Sequence, residues 1–240
     1  MIESVLKVEW NDEREVLSAL GAELEPQIRW LKRVREFVQH PVKGIDFTPQ
    51  YYMHRSVARP GDDWKELRYD LTVLPPRLLG NEYNKTIGHY HPPAPCGKSY
   101  PEAYEVLSGE AHYLLQKKDL TRFILVKARE GDKVMVPPDY GHVTVNPSKE
   151  KALVMSNIAE ATFKSEYGDY EEKKGAAYYE FEDGLEKNPL YGEVPEPEIV
   201  DAKEFDEFKG KELYLWGAEQ KEALSFLARP EEFKINSVDA

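Results

Sequence analysis

Cysteine is almost missing: among 240 residues there is one, Cys96, which excludes a disulfide framework and fits a reducing compartment. Long apolar runs are missing as well. No uninterrupted stretch approaches the roughly 20 residues needed to span a bilayer, and residues 1–15 carry no apolar segment of signal-peptide length. A soluble, cytoplasmic protein with no membrane partner is therefore expected. Positive charge is in deficit, with 32 Lys and Arg against 44 Asp and Glu and a net charge of -12. This argues against general nucleic-acid binding. It also means that an anionic ligand must be held by local donors, because the overall field repels it. No glycine-rich phosphate loop of the GxGxxG or GxxxxGK[ST] kind occurs, and no internal repeat or low-complexity tract stands out.

What is present is a globular composition, 41% hydrophobic with 15 tyrosines against 9 phenylalanines, long enough to bury a sizeable core. The first forty residues read as helical. Pro26 suits a first helical position, Ile28, Leu31, Val34 and Val38 recur at helical spacing, and Pro41 stops the run. From there to about Phe181 the texture is of short alternating strands punctuated by Gly, Pro, Asn and Asp, with no helix between them, which argues for an antiparallel sandwich or barrel. Beyond Asp183 come prolines and then helical material, read as a tail wrapping the barrel. The expected division is an N-terminal helical extension (1–44), a barrel with a metal site (45–185) and a proline-rich, helical C-terminal tail (186–240).

The chemistry concentrates in residues 86–109, TIGHYHPPAPCGKSYPEAYEVLSG. On a strand, residues two apart share a face, so His89 and His91 present two imidazoles to one cation while Tyr90 faces away. Glu102 and Tyr104 repeat that parity on the strand leading to Ser108-Gly109. In GDKVMVPPDYGHVTVN (131–146), His142 opens a strand after a double proline and is placed to be a third nitrogen ligand. A site of three imidazoles and one carboxylate suits one divalent cation (Fe2+, Mn2+, Ni2+ or Zn2+), since mixed N/O ligands select weakly among them.

HYH at 89–91, Glu102 with six residues between it and Gly109, Gly131 with five residues between it and Pro137, then His142 and Asn146, resembles the two-part cupin signature, which implies a mainly β fold, a small jelly-roll barrel with the metal inside. Two departures stand out: a long gap from His91 to Glu102, and Asp139 where glycine is usual. The long gap, TIGHYH before it, YPEAYEVLSGEAHYLLQ after it, LTVLPP (71–76), VMVPPDYGHVTVN (134–146) and EYGDYEEKKGAAYYEFEDG (166–184) resemble the cupin-type glucose-6-phosphate isomerases over roughly residues 45–185. That resemblance implies a metal-dependent aldose-ketose isomerase of glycolysis and gluconeogenesis, acting on a sugar phosphate, usually as a homodimer. It puts the metal ligands on His89, His91, Glu102 and His142, and substrate contacts on Thr72, Thr86, Gly88, Tyr104 and Tyr167. A histidine that some members carry just before that last tyrosine is absent, Ser165 and Glu166 occupying the region.

In such a reaction Glu102 is the candidate base and Tyr104 the candidate carrier of protons between sugar oxygens. Thr72, Thr86 and the Gly88 amide would hold phosphate as neutral donors, with Lys98 a further candidate. Cys96 reads as a passive loop thiol. Two other classes use the same barrel: a metal-dependent cupin oxygenase and a non-enzymatic sugar-binding cupin. Phosphate-binding threonines and interior tyrosines favour the isomerase over the first, and the intact ligand set disfavours the second.

Overall fold

The computed structural model describes residues 4–203, 205 and 210–234; the parts of the two expected extensions at 1–3, 204, 206–209 and 235–240 lie outside it. The fold is mainly β. The first strands are Glu9–Asn11 (β1), Val16–Ala19 (β2), Ala22–Glu23 (β3), Gln27–Trp30 (β4), Pro49–His54 (β5), Leu67–Leu74 (β6), Leu78–Leu79 (β7) and Glu82–Lys85 (β8). Glu102–Ser108 (β9), Glu110–Lys117 (β10), Phe123–Arg129 (β11), Lys133–Val136 (β12), Tyr140–Asn146 (β13) and Leu153–Glu160 (β14) follow, then Tyr178–Phe181 (β15), Gly184–Lys187 (β16) and Glu198–Asp201 (β17). The α-helical segments are short: Leu31–Val34 (α1), Gly168–Glu172 (α2) and Leu213–Glu219 (α3).

Two sheets face each other, one ordered β12-β9-β14-β6-β5-β4 and the other β16-β15-β8-β13-β10-β11-β17, with β7 on β8. Every strand pair is antiparallel except β11 with β17. Strands either side of Ser108-Gly109, of 130–132 and of 147–152 lie in different sheets, so each of these links is a corner of the jelly roll and not a hairpin. Gly109 is at φ +88, and a Cβ there would come within 2.7 Å of the Ala152 carbonyl oxygen; only glycine turns this corner without strain.

The inner faces enclose one apolar cluster that includes Tyr51, Met53, Tyr104, Val106, Tyr113 and Met155. A second cluster covers the back of the six-stranded sheet, where Leu67, Tyr69, Leu71 and Val73 of β6 meet Leu6, Leu17, Leu213 and Tyr214 from the two chain ends. The even residues of β6 face inward and the odd ones outward, as a period of two requires. Arg68, Asp70 and Thr72 are therefore directed to the interior.

The N-terminal segment is not the helix its periodicity suggests. Residues 27–30 are strand β4, paired antiparallel with β5, and only Leu31–Val34 and a 3-10 turn at Arg35–Phe37 are helical. The open edge of β5 offers backbone partners to Ile28 and Trp30, residue types that suit strands, and this pairing outweighs a weak helical preference. Leu31 and Val34 stay buried, so the apolar positions were read correctly and their geometry was not. Upstream, β1, β2 and β3 form a small meander; its second turn, Leu20-Gly21, has both residues at positive φ, a two-residue hairpin link. At the other end α3 lies on the back cluster, and β17 extends the eight-stranded sheet.

Candidate active site

The four residues expected to bind a metal converge inside the barrel. One ligand atom from each of His89, His91, Glu102 and His142 lies within 4.8 Å of all the others. His142 is on β13 and Glu102 begins β9, so the two sheets contribute from opposite sides. His89 is paired with His142 in an isolated bridge, while Tyr90 bridges to Glu166. These bonds hold the HYH segment extended, with both histidines facing one way.

Glu102 Oε2 is 3.3 Å from His91 Nε2 and 3.3 Å from His142 Nε2, and this buried oxygen has no hydrogen-bond partner. Its twin, Oε1, accepts from Asn157 Nδ2 at 2.6 Å. An unpartnered carboxylate oxygen ringed by ring nitrogens fits a cation: ligand bonds of about 2.1 Å hold neighbouring donors about 3 Å apart. The far side of His91 is fixed too, because its Nδ1 lies 2.8 Å from the Tyr100 carbonyl oxygen. That contact sets the tautomer and leaves Nε2 facing the site.

Charge states agree with this. Burial, reinforced by His142 and His91, lowers the His89 pKa well below the usual imidazole value. Burial also brings His142 down to about 4, against the opposing pull of Glu102. Both rings are thus neutral at neutral pH, the form that ligates. Burial works against charge on Glu102, but the hydrogen-bonding and electrostatic pull of His91, His142 and His89 holds it well below the carboxylate range.

A cavity open to solvent surrounds the cluster, lined also by Thr72, Thr86, Tyr104 and Tyr167. The Tyr104 hydroxyl is 3.0 Å from His142 Nε2, and burial, then Glu102, raises its pKa well above the usual phenol value. It therefore stays protonated. Thr86 Oγ1 accepts from the Thr144 amide at 2.9 Å, which leaves its own hydroxyl hydrogen to donate. The Tyr167 ring centroid is 5.5 Å from that of His89.

Two of the expected contacts, Gly88 and Lys98, are not among the residues lining the cavity. Gly88 does not line the cavity: its missing side chain makes room for Tyr170, whose ring a Cβ would approach to 2.3 Å. Gly141, the neighbour of His142, does the same, with Tyr170 and Tyr90 each 2.7 Å from where its Cβ would be. Lys98 and Cys96 are exposed on the loop between His91 and Glu102, outside the lining residues.

Both departures from the cupin pattern have physical accounts. The longer loop folds on itself through a Pro93–Ser99 bridge and delivers the Tyr100 carbonyl to His91. Asp139 sits at φ +67, a left-handed conformation that Asp tolerates better than most residues. It exchanges hydrogen bonds with Ser99, its amide donating to Ser99 Oγ at 2.6 Å and its Oδ1 accepting from the Ser99 amide at 3.2 Å. Sequence reading missed Arg55, Arg68 and Asn157, all of which line the cavity.

A family model described as glucose-6-phosphate isomerase (GPI) matches residues 31–192, which is more than half of the chain and holds the whole site. The chain belongs to the glucose-6-phosphate isomerase family. Among curated proteins of that name, it is 34% identical to the one from Thermococcus litoralis over 145 residues, 60% of this chain and 67% of that one. It is 33% identical to the one from Thermococcus onnurineus over 108 residues, 45% of this chain and 54% of that protein. The matched stretch thus spans between about half and two thirds of these relatives. A cupin 2 conserved barrel domain protein from Rhodopseudomonas palustris is similar in structure at 12% identity and a TM-score of 0.38, over 65% of this chain and 81% of that one. In this member of the isomerase family the cupin assignment stands on the strand topology and the site inside it.

Proposed function

We propose that the chain is a divalent-metal-dependent aldose-ketose isomerase that interconverts glucose 6-phosphate and fructose 6-phosphate. The observation that carries this reading is the unpartnered Glu102 oxygen among three inward-facing histidines, beside a protonated tyrosine, within the stretch matched by the family model. His89, His91, Glu102 and His142 would hold the ion, which when bound supplies polarisation of the sugar oxygens. Fe2+ is the preferred ion, with Mn2+, Ni2+ or Zn2+ as alternatives.

The chain's own groups account for the rest. Isomerisation moves one hydrogen between C2 and C1 of the open-chain sugar. Glu102 removes the proton from one carbon and returns it to the other, while Asn157 keeps its carboxylate oriented. Tyr104, protonated and buried on the same strand face, passes a proton between the two sugar oxygens. Thr72 and Thr86 donate to the substrate from the opposite strands, and Tyr167 closes the side next to His89. Glycolysis and gluconeogenesis in the cytoplasm are the setting for this reaction, and a homodimer is the proposed assembly.

The test is anaerobic. Metal-loaded protein mixed with fructose 6-phosphate in the absence of O2 should produce glucose 6-phosphate up to the equilibrium ratio. No conversion with any of the four ions would overturn the isomerase reading.

A further inference from the structure

Resting on the reading of His89, His91, Glu102 and His142 as a metal centre, we propose that Gln116, on the outer face of the barrel wall, is a positioning residue for that centre. Its amide pins Tyr90, the middle residue of HYH, to the turn that follows α2. On β10, Tyr113 points inward against Tyr104, ring centroids 5.1 Å apart, so Leu114 and Gln116 point outward. Gln116 is buried there and is not among the residues lining the cavity. Both ends of its amide are occupied. Nε2 donates to the Tyr90 hydroxyl at 2.8 Å and to the Tyr191 hydroxyl at 3.3 Å, and Oε1 accepts from the Ala177 amide at 2.7 Å.

Register brings these groups together. His89 bridges His142, and Gly141 is opposite Gln116, so Tyr90, Gly141 and Gln116 form one row across three neighbouring segments, on the face opposite to the histidines. Gly141 lacks the side chain that would stand between the other two: a Cβ there would come within 2.7 Å of the Tyr90 ring. The phenol therefore crosses over the glycine to reach the amide. This anchor matters because the imidazoles are held unevenly. His91 has the Tyr100 carbonyl at 2.8 Å, whereas His89 Nδ1 is 3.5 Å from the Ile87 carbonyl, at the limit of a hydrogen bond, and His142 Nδ1 is buried with no partner. The direction of His89 is thus set by its backbone, which Tyr90 anchors one residue on.

The same amide reaches the chain beyond α2. The turn that ends at Ala177 is sewn down by buried groups: Asn188 Nδ2 donates to the Lys173 and Ala176 carbonyls at 2.8 and 2.9 Å, and the Tyr191 hydroxyl donates to the Gly175 carbonyl at 3.0 Å. Helix α2, just before this turn, carries Tyr170 behind Gly88 and Gly141 and is preceded by Tyr167, which lines the cavity. Gln116 therefore joins the segment that bears His89 and His91 to the segment that supplies Tyr167. A buried amide is costly to leave half-satisfied, so the three segments hold one arrangement together, and the ligand geometry depends on chain that lies outside the barrel interior.

The experiment uses the full chain with Co2+ as a spectroscopic probe and compares wild type, Gln116→Met, Tyr90→Phe, the double variant and the control Tyr179→Phe. The control deletes a hydrogen bond to the Lys174 carbonyl in the same turn without touching HYH. Three quantities are read: the Co2+ dissociation constant against a competing chelator, the visible absorption bands of the bound ion, and Tm of the metal-free protein. Gln116→Met and Tyr90→Phe are each expected to weaken Co2+ binding roughly 10-fold, the lower end of the loss for groups that orient a ligand, and to shift the bands. The double variant should stay within about threefold of Gln116→Met, because both changes break one link. Tyr179→Phe should lower Tm and leave affinity and bands as in wild type. If Gln116→Met fails to fold, Tyr90→Phe, which removes a single oxygen, decides alone. Wild-type affinity and bands in the folded variants, multiplied losses in the double variant, or an equal loss in Tyr179→Phe would overturn the assignment and leave the isomerase reading intact. A wild type that binds Co2+ but converts no fructose 6-phosphate with any of the four ions overturns the isomerase reading, and the affinities still decide the role of Gln116. A wild type that binds no divalent ion overturns both.

Discussion

At the scale of the residue, Glu102 has two oxygens with two occupations, one tied to Asn157 and one facing the histidine cluster. Glu102→Gln keeps an oxygen that coordinates weakly and removes the basic carboxylate, so it separates ligation from proton transfer. Turnover of the metal-saturated variant should fall by roughly two to four orders of magnitude, the usual cost of losing a general base, and wild type run in D2O should incorporate solvent deuterium at the transferred position. No deuterium, together with a variant within about tenfold of wild type, would leave a hydride shift as the route. The clustering of His89, His91, Glu102 and His142 was legible in the sequence because its signal is local: HYH is a strand-parity pattern, and Glu102 and His142 lie on the strands that follow. Arg55 was not legible. It enters the cavity through the pairing of β5 with β6, and nothing near it in the chain distinguishes it from a surface arginine. The packing role of Gly88 was not legible for a related reason, since its neighbour in space is Tyr170, 82 positions on.

At the scale of the element, the two histidine-bearing segments lean on one aromatic ring. Gly88 and Gly141 sit beside His89 and His142 and leave the space that Tyr170 of α2 fills from behind. Gly88→Ala should therefore cost about 1–3 kcal/mol through overpacking and lower Tm by several degrees, although the position is not among the residues lining the cavity. Calorimetry of the single variant and of Gly88→Ala with Tyr170→Leu tests this: relief of the loss by the second change is expected, and additive losses would refute the steric account. Strand β4 shows where sequence patterns stop deciding. Ile28, Leu31 and Val34 satisfy a helical repeat and Ile28 and Trp30 a strand repeat, and the choice is made by the free edge of β5, which only the folded sheet provides. The corners at Gly109 and Gly131 had clear turn signals, but whether a turn makes a hairpin or crosses between sheets is a property of the partners on either side.

At the scale of the whole molecule, the ligand cluster links the two sheets, with Glu102 on one and His142 on the other. An ion bound there would act as a tie across the barrel, and binding to the folded state alone would stabilise it by about 2.7 kcal/mol at 100 times the dissociation constant. Calorimetric Tm with excess Mn2+ should exceed that with EDTA by several degrees. His142→Ala should abolish both this difference and bound metal measured by elemental analysis. Equal Tm values in wild type with and without metal would refute the tie. The outer back of the six-stranded sheet is sealed by the two ends of the chain, Leu6 and Leu17 from one and Leu213 and Tyr214 from the other. This is why the outward residues of β6, Leu67, Tyr69, Leu71 and Val73, are apolar, while the polar Arg68, Asp70 and Thr72 face the interior.

The loop from His91 to Glu102 joins two of the four inward-facing ligand residues and carries the chain's one thiol on its exposed tip. A maleimide fluorophore or spin label would therefore attach at Cys96 alone, in the unaltered protein, one short loop from the reacting centre. The molecule brings its own reporter position: emission or line shape at Cys96 would follow the loop as metal and sugar phosphate are added, with no engineered cysteine and no background labelling to subtract.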